Sequence, residues 1–527
     1  MTTGQVTAPH HVQKIARSGS VNVMGAAVGA LAGFGLTLVL TNGLTREVAG
    51  TVFATTSLFL ILTSVVQLGT ESGMARWLPV KVATGRTSEL GQVLKAGLVP
   101  TVLLSAAVAV IVVGSARQVA ELLVDGDQVG TVATQVRILA GFLPLAATLN
   151  VVLASTRGLR TVRPTVLVES IGRSVLQLAA VAAVTALGGS AEMVVLAWAG
   201  PYLFALLVAT VWLLLLLRRL QRRAGAAPPT DFGPVEDSGG RAIGVTREFW
   251  SYTGPRALAT IAQTALKRSD IVMVAALRSP AEAAVYAAAS RFVTLGQVGV
   301  QALQQALAPQ LSAMFARGEK HHAQSIYHVT TTWSIMMAWP VYITCAILAP
   351  VVLLLFGEGY TDGTPVVVLL SAAMLVSVAC GSVDTVVLMS GRSWLSLLNT
   401  VAALVVNVAL NLLLIPSLGI LGAAIAWAVA IVLRNVMPVV QIHYLLGMSP
   451  FGAGSALAAG SALGLLAVGP GALVLLGVGT WWVVLALVVG GGAYLSVLLK
   501  ARNQLHLPEL MRSLRSSGRR RAPSLAP

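Results

Sequence analysis

Along the 527-residue chain, polar and charged positions are gathered into short breaks between apolar runs of about 20 residues. An α-helix of about 20 apolar residues crosses a hydrocarbon core of about 30 Å, and on that ruler the chain predicts about fourteen transmembrane helices. The first six cover approximately 22–43, 48–70, 92–114, 131–155, 164–188 and 192–217. The next six cover 249–276, 281–308, 329–356, 364–390, 394–416 and 419–446, and two more lie near 452–476 and 478–499. Helices 13 and 14 are separated only by a short Gly-rich stretch.

The longest break, 218–247, opens with Arg218, Arg219, Arg222 and Arg223 and continues with Pro, Gly and acidic residues and no apolar period. It reads as a basic cytoplasmic linker between an N-lobe of six helices (22–217) and a C-lobe of six (248–446). A polar tail (1–21) precedes the first lobe; helices 13–14 (447–499) and a basic tail (500–527) follow the second. No small-residue cleavage site closes a short apolar segment after Ser20, so helix 1 reads as retained rather than as a signal peptide. The basic tail is read as a topology anchor, or as a dock for anionic lipid or a partner.

The two halves echo each other. Helix 2 opens with Glu47 and soon reaches Gly50, Thr51, Val52, Phe53 and Ala54; helix 8 opens with Glu282 and soon reaches Ala284, Val285, Tyr286 and Ala287. Thr156-Arg157-Gly158 follows helix 4, and Ser390-Gly391-Arg392 follows helix 10. Two lobes of equal orientation imply a two-fold axis along the membrane normal, around a central cavity that opens alternately to each side. Small residues at four-residue spacing, Gly25, Gly29 and Gly33 on helix 1 and Gly422, Ala426 and Ala430 on helix 12, favour close helix approach in lipid.

Composition fixes the class. The chain is 56% hydrophobic and 10% charged, whereas a soluble domain is about one quarter charged. Few aromatics and no apolar/polar alternation favour helices over a barrel. The fold class is therefore all-α integral membrane protein. The net charge of +16 falls mostly between the spans. With the N-terminus in the cytoplasm, the inside loops and tails hold about 25 Lys and Arg, and the outside loops hold Arg46, Arg117 and Arg278. That asymmetry predicts a multi-pass protein of the plasma or inner membrane with both termini cytoplasmic. No aromatic-basic motif points to nucleic acid. Cys345 and Cys380 both lie within apolar runs, which excludes a disulfide framework, and no metal-ligand spacing exists. No metal and no cofactor is expected.

Helices 11–12 carry a run from Asn407 through Asn411, Pro416, Gly419 and Gly422 to Ala426, with Pro416 and Gly419 forming a tight outer turn. This run resembles the corresponding region of Wzx-type polysaccharide flippases, within the multidrug/oligosaccharidyl-lipid/polysaccharide exporter superfamily to which MurJ also belongs. Gly73-Met74-Ala75-Arg76 at the end of helix 2, Asp270 in helix 7, and Tyr286 with Arg291 in helix 8 are similar to that family's pattern. The resemblance covers about residues 15–450, with helices 7–8 and 11–12 its specific part. Helices 13–14 fit fourteen-helix members better than twelve-helix drug exporters. Helix 1 has no charge from Val21 to Leu44, and Ser290 precedes Arg291. MurJ lipid II flippases carry arginines in helix 1 and an Asp-Arg pair in helix 8, so the resemblance argues against lipid II as the substrate.

What the resemblance implies is a flippase that carries a polyprenyl-pyrophosphate-linked oligosaccharide to the outer leaflet by alternating access. Its partners would be the lipid-linked oligosaccharide, the bilayer, and the polymerase and glycosyltransferases of the same pathway. Charges inside a bilayer are expensive and face a cavity or a partner. The candidates for substrate binding are Arg256, Lys267, Arg268 and Asp270 on helix 7, Arg291 on helix 8, Asp384 on helix 10 and Arg434 on helix 12. Cations outnumber acids among them, which suits a pyrophosphate, and the arginine fork can donate two parallel hydrogen bonds to it. Each has a structural alternative. Lys267 and Asp270 could pair on one face. Arg256 could snorkel, and Asp384 lies near a helix end. Glu169 and Arg173, four apart, read as a local pair, and Asn407 and Asn411 as interhelical hydrogen-bonding groups. No catalytic residue is expected. Two rival functions remain: a cation-coupled small-molecule exporter, and a membrane-embedded glycosyltransferase or polymerase. Helix 1 has no acidic residue, which weakens the first, and the short outer loops carry acids without a His in the same loop, which weakens the second.

Overall fold

In a computed structural model the protein is described at residues 9–226, 244–502 and 504–505. Most of the N-terminal tail's first residues, the middle of the 218–247 linker and nearly all of the C-terminal tail lie outside the described residues. The described residues form helices and no strand. This is what lipid demands: a helix satisfies its backbone N–H and C=O groups within itself.

The helices, in order, are α1 (Pro9–Gly43), α2 (Arg46–Val66), α3 (Thr70–Ala83), α4 (Leu90–Gly114), α5 (Ala116–Leu123), α6 (Gln128–Gly158), α7 (Ser174–Ala186), α8 (Ala191–Ala199), α9 (Pro201–Ala226) and α10 (Val245–Leu277). They continue as α11 (Pro280–Ala316), α12 (Lys320–Ile347), α13 (Ala349–Leu354), α14 (Thr364–Ala379), α15 (Val383–Met389), α16 (Ser393–Leu418), α17 (Ile420–Leu446), α18 (Ala453–Ala462), α19 (Gly469–Leu475) and α20 (Thr480–Lys500). Two π-helical segments, Thr165–Arg173 before α7 and Leu463–Val468 before α19, complete long spans.

Among the described residues, eleven helical segments are long and apolar enough to cross a membrane. They coincide with eleven of the expected spans, and the main displacement falls at 364–390, where the helix breaks. There Gly381 has φ +64°, and α15 resumes after it. The other three expected spans are α10, α11 and α12, of 33, 37 and 28 residues. They have the length but not the apolar content. Arg256, Lys267, Arg268 and Asp270 interrupt α10, Gln297 and Gln301 interrupt α11, and Thr330, Thr331, Thr332 and Ser334 interrupt α12. The three helices that fall short in apolar content are thus consecutive.

The chain divides into two compact units, one of them Leu31–Ala287 with Asn411–Ile420, the other the remainder. In the first unit, α6 is the centre against which α2, α3, α4 and α9 pack, and α10 lies on α2, α3 and α4. In lipid there is little hydrophobic drive between helices, so close van der Waals approach and interhelical hydrogen bonds hold them. Glycine makes that approach possible. A Cβ at Gly50 would sit 1.7 Å from the Pro280 carbonyl oxygen, and one at Gly73 would sit 2.3 Å from Thr253 Oγ1. Phe59, Trp198 and Tyr202 form an edge-packed aromatic group, with centroids 5.6–5.8 Å apart. After α4, the amphipathic α5 buries Ala116, Ala120 and Leu123.

In the second unit α12 packs on α14 and α18. Tyr327 and Tyr342 are fully buried in it, and their hydroxyls donate to the carbonyls of Cys380 (2.7 Å) and Val293 (3.0 Å). Both cysteines are free. The helix 12 small-residue stripe is buried at Gly422, Ala426 and Ala430. A Cβ at Gly33 of α1 would meet nothing within 4 Å, so close packing does not require glycine there. The expected Pro416–Gly419 turn narrows to one residue: α16 runs through Pro416 to Leu418, and Gly419 alone turns the chain, with φ +57°. A Cβ at Gly419 would also meet Glu282 Oε2 at 2.7 Å.

Candidate functional site

Asp270 sits seven residues before the end of α10 and is 2% exposed. Tyr286 Oη donates to its Oδ2 at 3.0 Å, and Asn411 Nδ2 donates to its Oδ1 at 2.7 Å. One carboxylate therefore joins α10, α11 and α16, and both its oxygens are engaged. A buried carboxylate needs this, because an ion in low dielectric is tolerated only when hydrogen bonds replace its water. Asn411 is interhelical, as expected for an amide in an apolar helix. Lys267 is exposed on the same helix.

Two residues before Asp270 on the same helix, Arg268 is half-buried. Its described electrostatic neighbour is the Tyr202 phenol. Tyr202 also receives Arg173, whose guanidinium carbon lies 4.7 Å from the ring centroid. Arg173 closes the π-helical segment. It donates to Glu169 Oε1 at 2.5 Å and to Gln177 Oε1 at 2.7 Å, and Gln177 anchors to the Trp198 carbonyl at 2.7 Å. Glu169 in turn lies within electrostatic reach of Glu71, which Arg157 holds at 3.0 Å. The expected Glu169–Arg173 pair is present, as part of a larger network. It is built on a π-helix, a form that appears often at functional sites. Among the described residues Glu169 Oε2 and Arg173 Nε are buried without a partner.

The second unit holds the other three candidates. Arg291 is half-buried on α11. Asp384, in the first turn of α15, accepts from Ser396 Oγ and lies within electrostatic reach of Arg434 on α17. Asp384 and Arg434 are thus brought together, although no ion pair within 4 Å joins them. Asn399 and Gln441 exchange two hydrogen bonds, of 2.8 and 2.9 Å, between α16 and α17.

Near the start of α10 the chemistry differs. Gly69 and Gly73 let α3 run close against Ala257, Thr253 and Phe249. That approach sets the Arg76 guanidinium carbon 4.1 Å from the Tyr252 ring centroid, with Arg256 at 5.8 Å from the same ring. Arg76 also lies 5.4 Å from the Trp77 ring. Among the described residues neither arginine has a carboxylate within ion-pair distance. Lys81, one turn beyond Trp77, does: it binds Glu89 at 2.7 Å and Glu248 at 3.0 Å, with its side chain 4% exposed. Burial penalises the ammonium, but hydrogen bonds and charge from the two carboxylates outweigh that and hold its pKa above the ordinary lysine value. This triad ties the end of α3, the entry to α4 and the start of α10 together.

The sequence singles out Arg256 but not its partners. Arg76-Trp77 and Tyr252 with Arg256 are visible as arginines beside aromatics, yet nothing in either segment says that they meet. The Arg173 network extends the expected pair through Gln177 and Tyr202, for which the sequence carries no signal.

A family model described as polysaccharide biosynthesis protein matches residues 15–315. A relative from Haloferax volcanii, named probable low-salt glycan biosynthesis flippase Agl15, is 24% identical over 208 residues, 38% of this chain and 42% of the relative. The chain thus spans about two-fifths of that curated relative's length. Among solved structures, the lipid II flippase MurJ in an inward closed conformation matches 92% of this chain and 98% of its own, with TM-score 0.67 and 10% identity. An inward-facing multidrug transporter of the MATE family, in the MOP superfamily, matches 80% of this chain and 96% of its own, with TM-score 0.62 and 15% identity. At these identities the likeness is one of fold.

Proposed function

The chain belongs to the polysaccharide biosynthesis protein family, and from that premise we propose that it is a flippase. It moves a polyprenyl-pyrophosphate-linked oligosaccharide from the cytoplasmic to the outer leaflet of the plasma or inner membrane. It does so by alternating access of two lobes, divided at the 218–247 linker, with both termini in the cytoplasm. The head group crosses through protein while the lipid tail stays in the bilayer, and no covalent chemistry is involved. The fold alone does not choose this cargo, because MATE transporters share it.

The observation that carries the reading is Arg268. It is a half-buried cation in a membrane helix whose nearby acid, Asp270, is engaged by Tyr286 and Asn411. Among the described residues Arg268 lies within electrostatic reach of the Tyr202 phenol and of no carboxylate. Positive charge left unneutralised at membrane depth is costly and marks a path for an anion. Pyrophosphate supplies that anion, and the guanidinium fork suits its oxygens. Arg291 and Arg434 are the candidate contacts of the second unit, and Arg256, Lys267, Asp270 and Asp384 complete the set as binding or positioning groups.

The test is head-group translocation in proteoliposomes loaded with a fluorescent polyprenyl-pyrophosphate oligosaccharide. Arg268→Gln, and separately the double variant Arg291→Gln/Arg434→Gln, are expected to lower the rate at least tenfold at unchanged melting temperature. Wild-type rates in both would remove the cationic path. A wild-type protein that moves no lipid-linked sugar, but exports small cations, would replace the function.

A further inference from the structure

We infer that Arg76, Tyr252 and Arg256 form a docking site for the phosphate of a membrane lipid, at the end of the first unit where α3 closes and α10 begins. Assigning the lipid as the anionic polyprenyl carrier rests on the translocation reading above; the phosphate site itself does not.

The geometry supplies three reasons. First, the two guanidinium groups converge. Their carbons lie 4.1 and 5.8 Å from one ring centroid, so at most about 10 Å separates them, and side-chain rotation can bring both forks onto one phosphate. Second, they converge without an acid. Elsewhere in this unit Lys81, Arg117, Arg157, Arg173 and Arg278 each bind a glutamate at 2.5–3.1 Å. Here an aromatic face takes the place of the carboxylate. A ring stabilises a guanidinium by about 0.5–2 kcal/mol and leaves its N–H edge free to donate. Arg76 is exposed and Arg256 half-buried, so those edges can be reached. Third, the site is held ready. The close approach of Gly69 and Gly73 to α10 and the Lys81–Glu89–Glu248 triad fix the spacing of the two helices on either side of it.

A lipid, rather than a soluble phosphate, follows from what borders the site. Val80, one turn beyond Arg76 on the same face of α3, is exposed, and so is Leu258 on α10. Trp77 and Tyr252 are the amphipathic rings that favour the boundary between hydrocarbon and water. A phosphate held there leaves its chains beside apolar side chains.

The experiment uses the full-length protein in phosphatidylcholine nanodiscs doped in turn with polyprenyl phosphate, phosphatidylglycerol or neutral polyprenol. Lipid retained by the released protein is read by native mass spectrometry. Wild type is expected to retain polyprenyl phosphate at least tenfold over polyprenol. Arg76→Gln/Arg256→Gln should abolish that preference at unchanged melting temperature. Arg76→Lys/Arg256→Lys, which keeps the charge and loses the fork, should keep part of it, and Arg219→Gln, a basic residue at the end of α9, should keep all of it. Retention of phosphatidylglycerol as well, lost in the same double variant, still supports a lipid phosphate site, of broader specificity. Equal retention of polyprenol, an unaffected Arg76→Gln/Arg256→Gln variant, or displacement of the lipid by millimolar inorganic phosphate each overturns the proposal. Should the double variant unfold, Arg256→Gln alone carries the test. A wild-type protein that retains phosphate lipid but translocates none refutes the flippase reading and leaves this site standing. The converse result, normal translocation with no phosphate preference, refutes the site alone.

Discussion

The two ends of α10 treat charge in opposite ways. Toward its C-terminal end Asp270 is sealed, 2% exposed, and bound by Tyr286 and Asn411 from two other helices. Toward its N-terminal end Arg256 shares the Tyr252 ring with Arg76, half-buried and without a carboxylate among the described residues. A bilayer penalises both charges, so each must have a reason to be there. The first is a fastener between helices; the second keeps its donors available. The difference is one of partner chemistry: hydrogen-bond donors consume a carboxylate's capacity, whereas a ring stabilises a guanidinium and leaves its edge open. It follows that stability and binding should fail at different ends of the helix.

The largest effect on stability is expected at Asp270. Asp270→Ala removes the acceptor that the Tyr286 hydroxyl and the Asn411 amide share. Breaking a buried charged network from one side costs about 3 kcal/mol or more. Unfolding followed in detergent should show a marked fall in melting temperature. Wild-type stability would mean that the three-helix junction is not a fastener. Tyr286→Phe removes one donor and keeps the packing, so a loss of about 1 kcal/mol should accompany it.

Next comes the Lys81 triad. Lys81→Met keeps the buried stem and removes the charge that joins Glu89 and Glu248, at a cost of about 1–2 kcal/mol. Its pH dependence has a definite sign. The folded-state pKa of Lys81 lies above the unfolded value, so its contribution is whole below the ordinary lysine pKa of about 10.4 and fades as pH rises through the folded value. The stability gap between wild type and Lys81→Met should therefore be the same at pH 7 and pH 9 and shrink near pH 11. A gap that is already closing between pH 7 and pH 9 would contradict the raised pKa.

How far the sequence carried these conclusions differs between the two kinds of feature. Span positions were legible because membrane thickness is a length, and length is read directly along the chain. The three helices that fall short in apolar content, α10 to α12, are nevertheless long enough to span, since polar residues interrupt hydrophobicity without shortening the helix; α12 lies nine residues earlier than the expected 329–356. Partners were not legible. A helix apolar on every side gives no periodic signal of which face meets which neighbour. Asp270 and Asn411 are 141 positions apart, and only packing shows that they meet. The sequence pointed correctly to Asn411 as an interhelical group because an amide in an apolar run must find a donor or acceptor. For Asp270 it offers Lys267, three positions away, because spacing along one helix is all that a sequence exposes; that Tyr286 and Asn411 bind the carboxylate shows only in the packing. Pro416 beside Gly419 suggests a shared turn, whereas α16 extends past Pro416 and Gly419 supplies the turn, the one residue there able to adopt φ +57° without strain.

The smallest stability effect is expected at the arginines of the open end, and it is the sharpest test of the comparison. Arg76→Gln removes an exposed guanidinium whose described contacts are ring faces. Such an interaction contributes about 0.5–1 kcal/mol at an exposed site, and the glutamine stem retains part of the packing. The melting temperature should thus move by about two degrees or less, while retention of phosphate lipid falls severalfold in the same preparation. Asp270→Ala should show the reverse pattern, with stability lost and, in whatever protein remains folded at low temperature, lipid retention kept. If instead Arg76→Gln costs more than about 2 kcal/mol, the stacked guanidinium is a clamp between α3 and α10. The two ends of α10 would then differ in geometry but not in role.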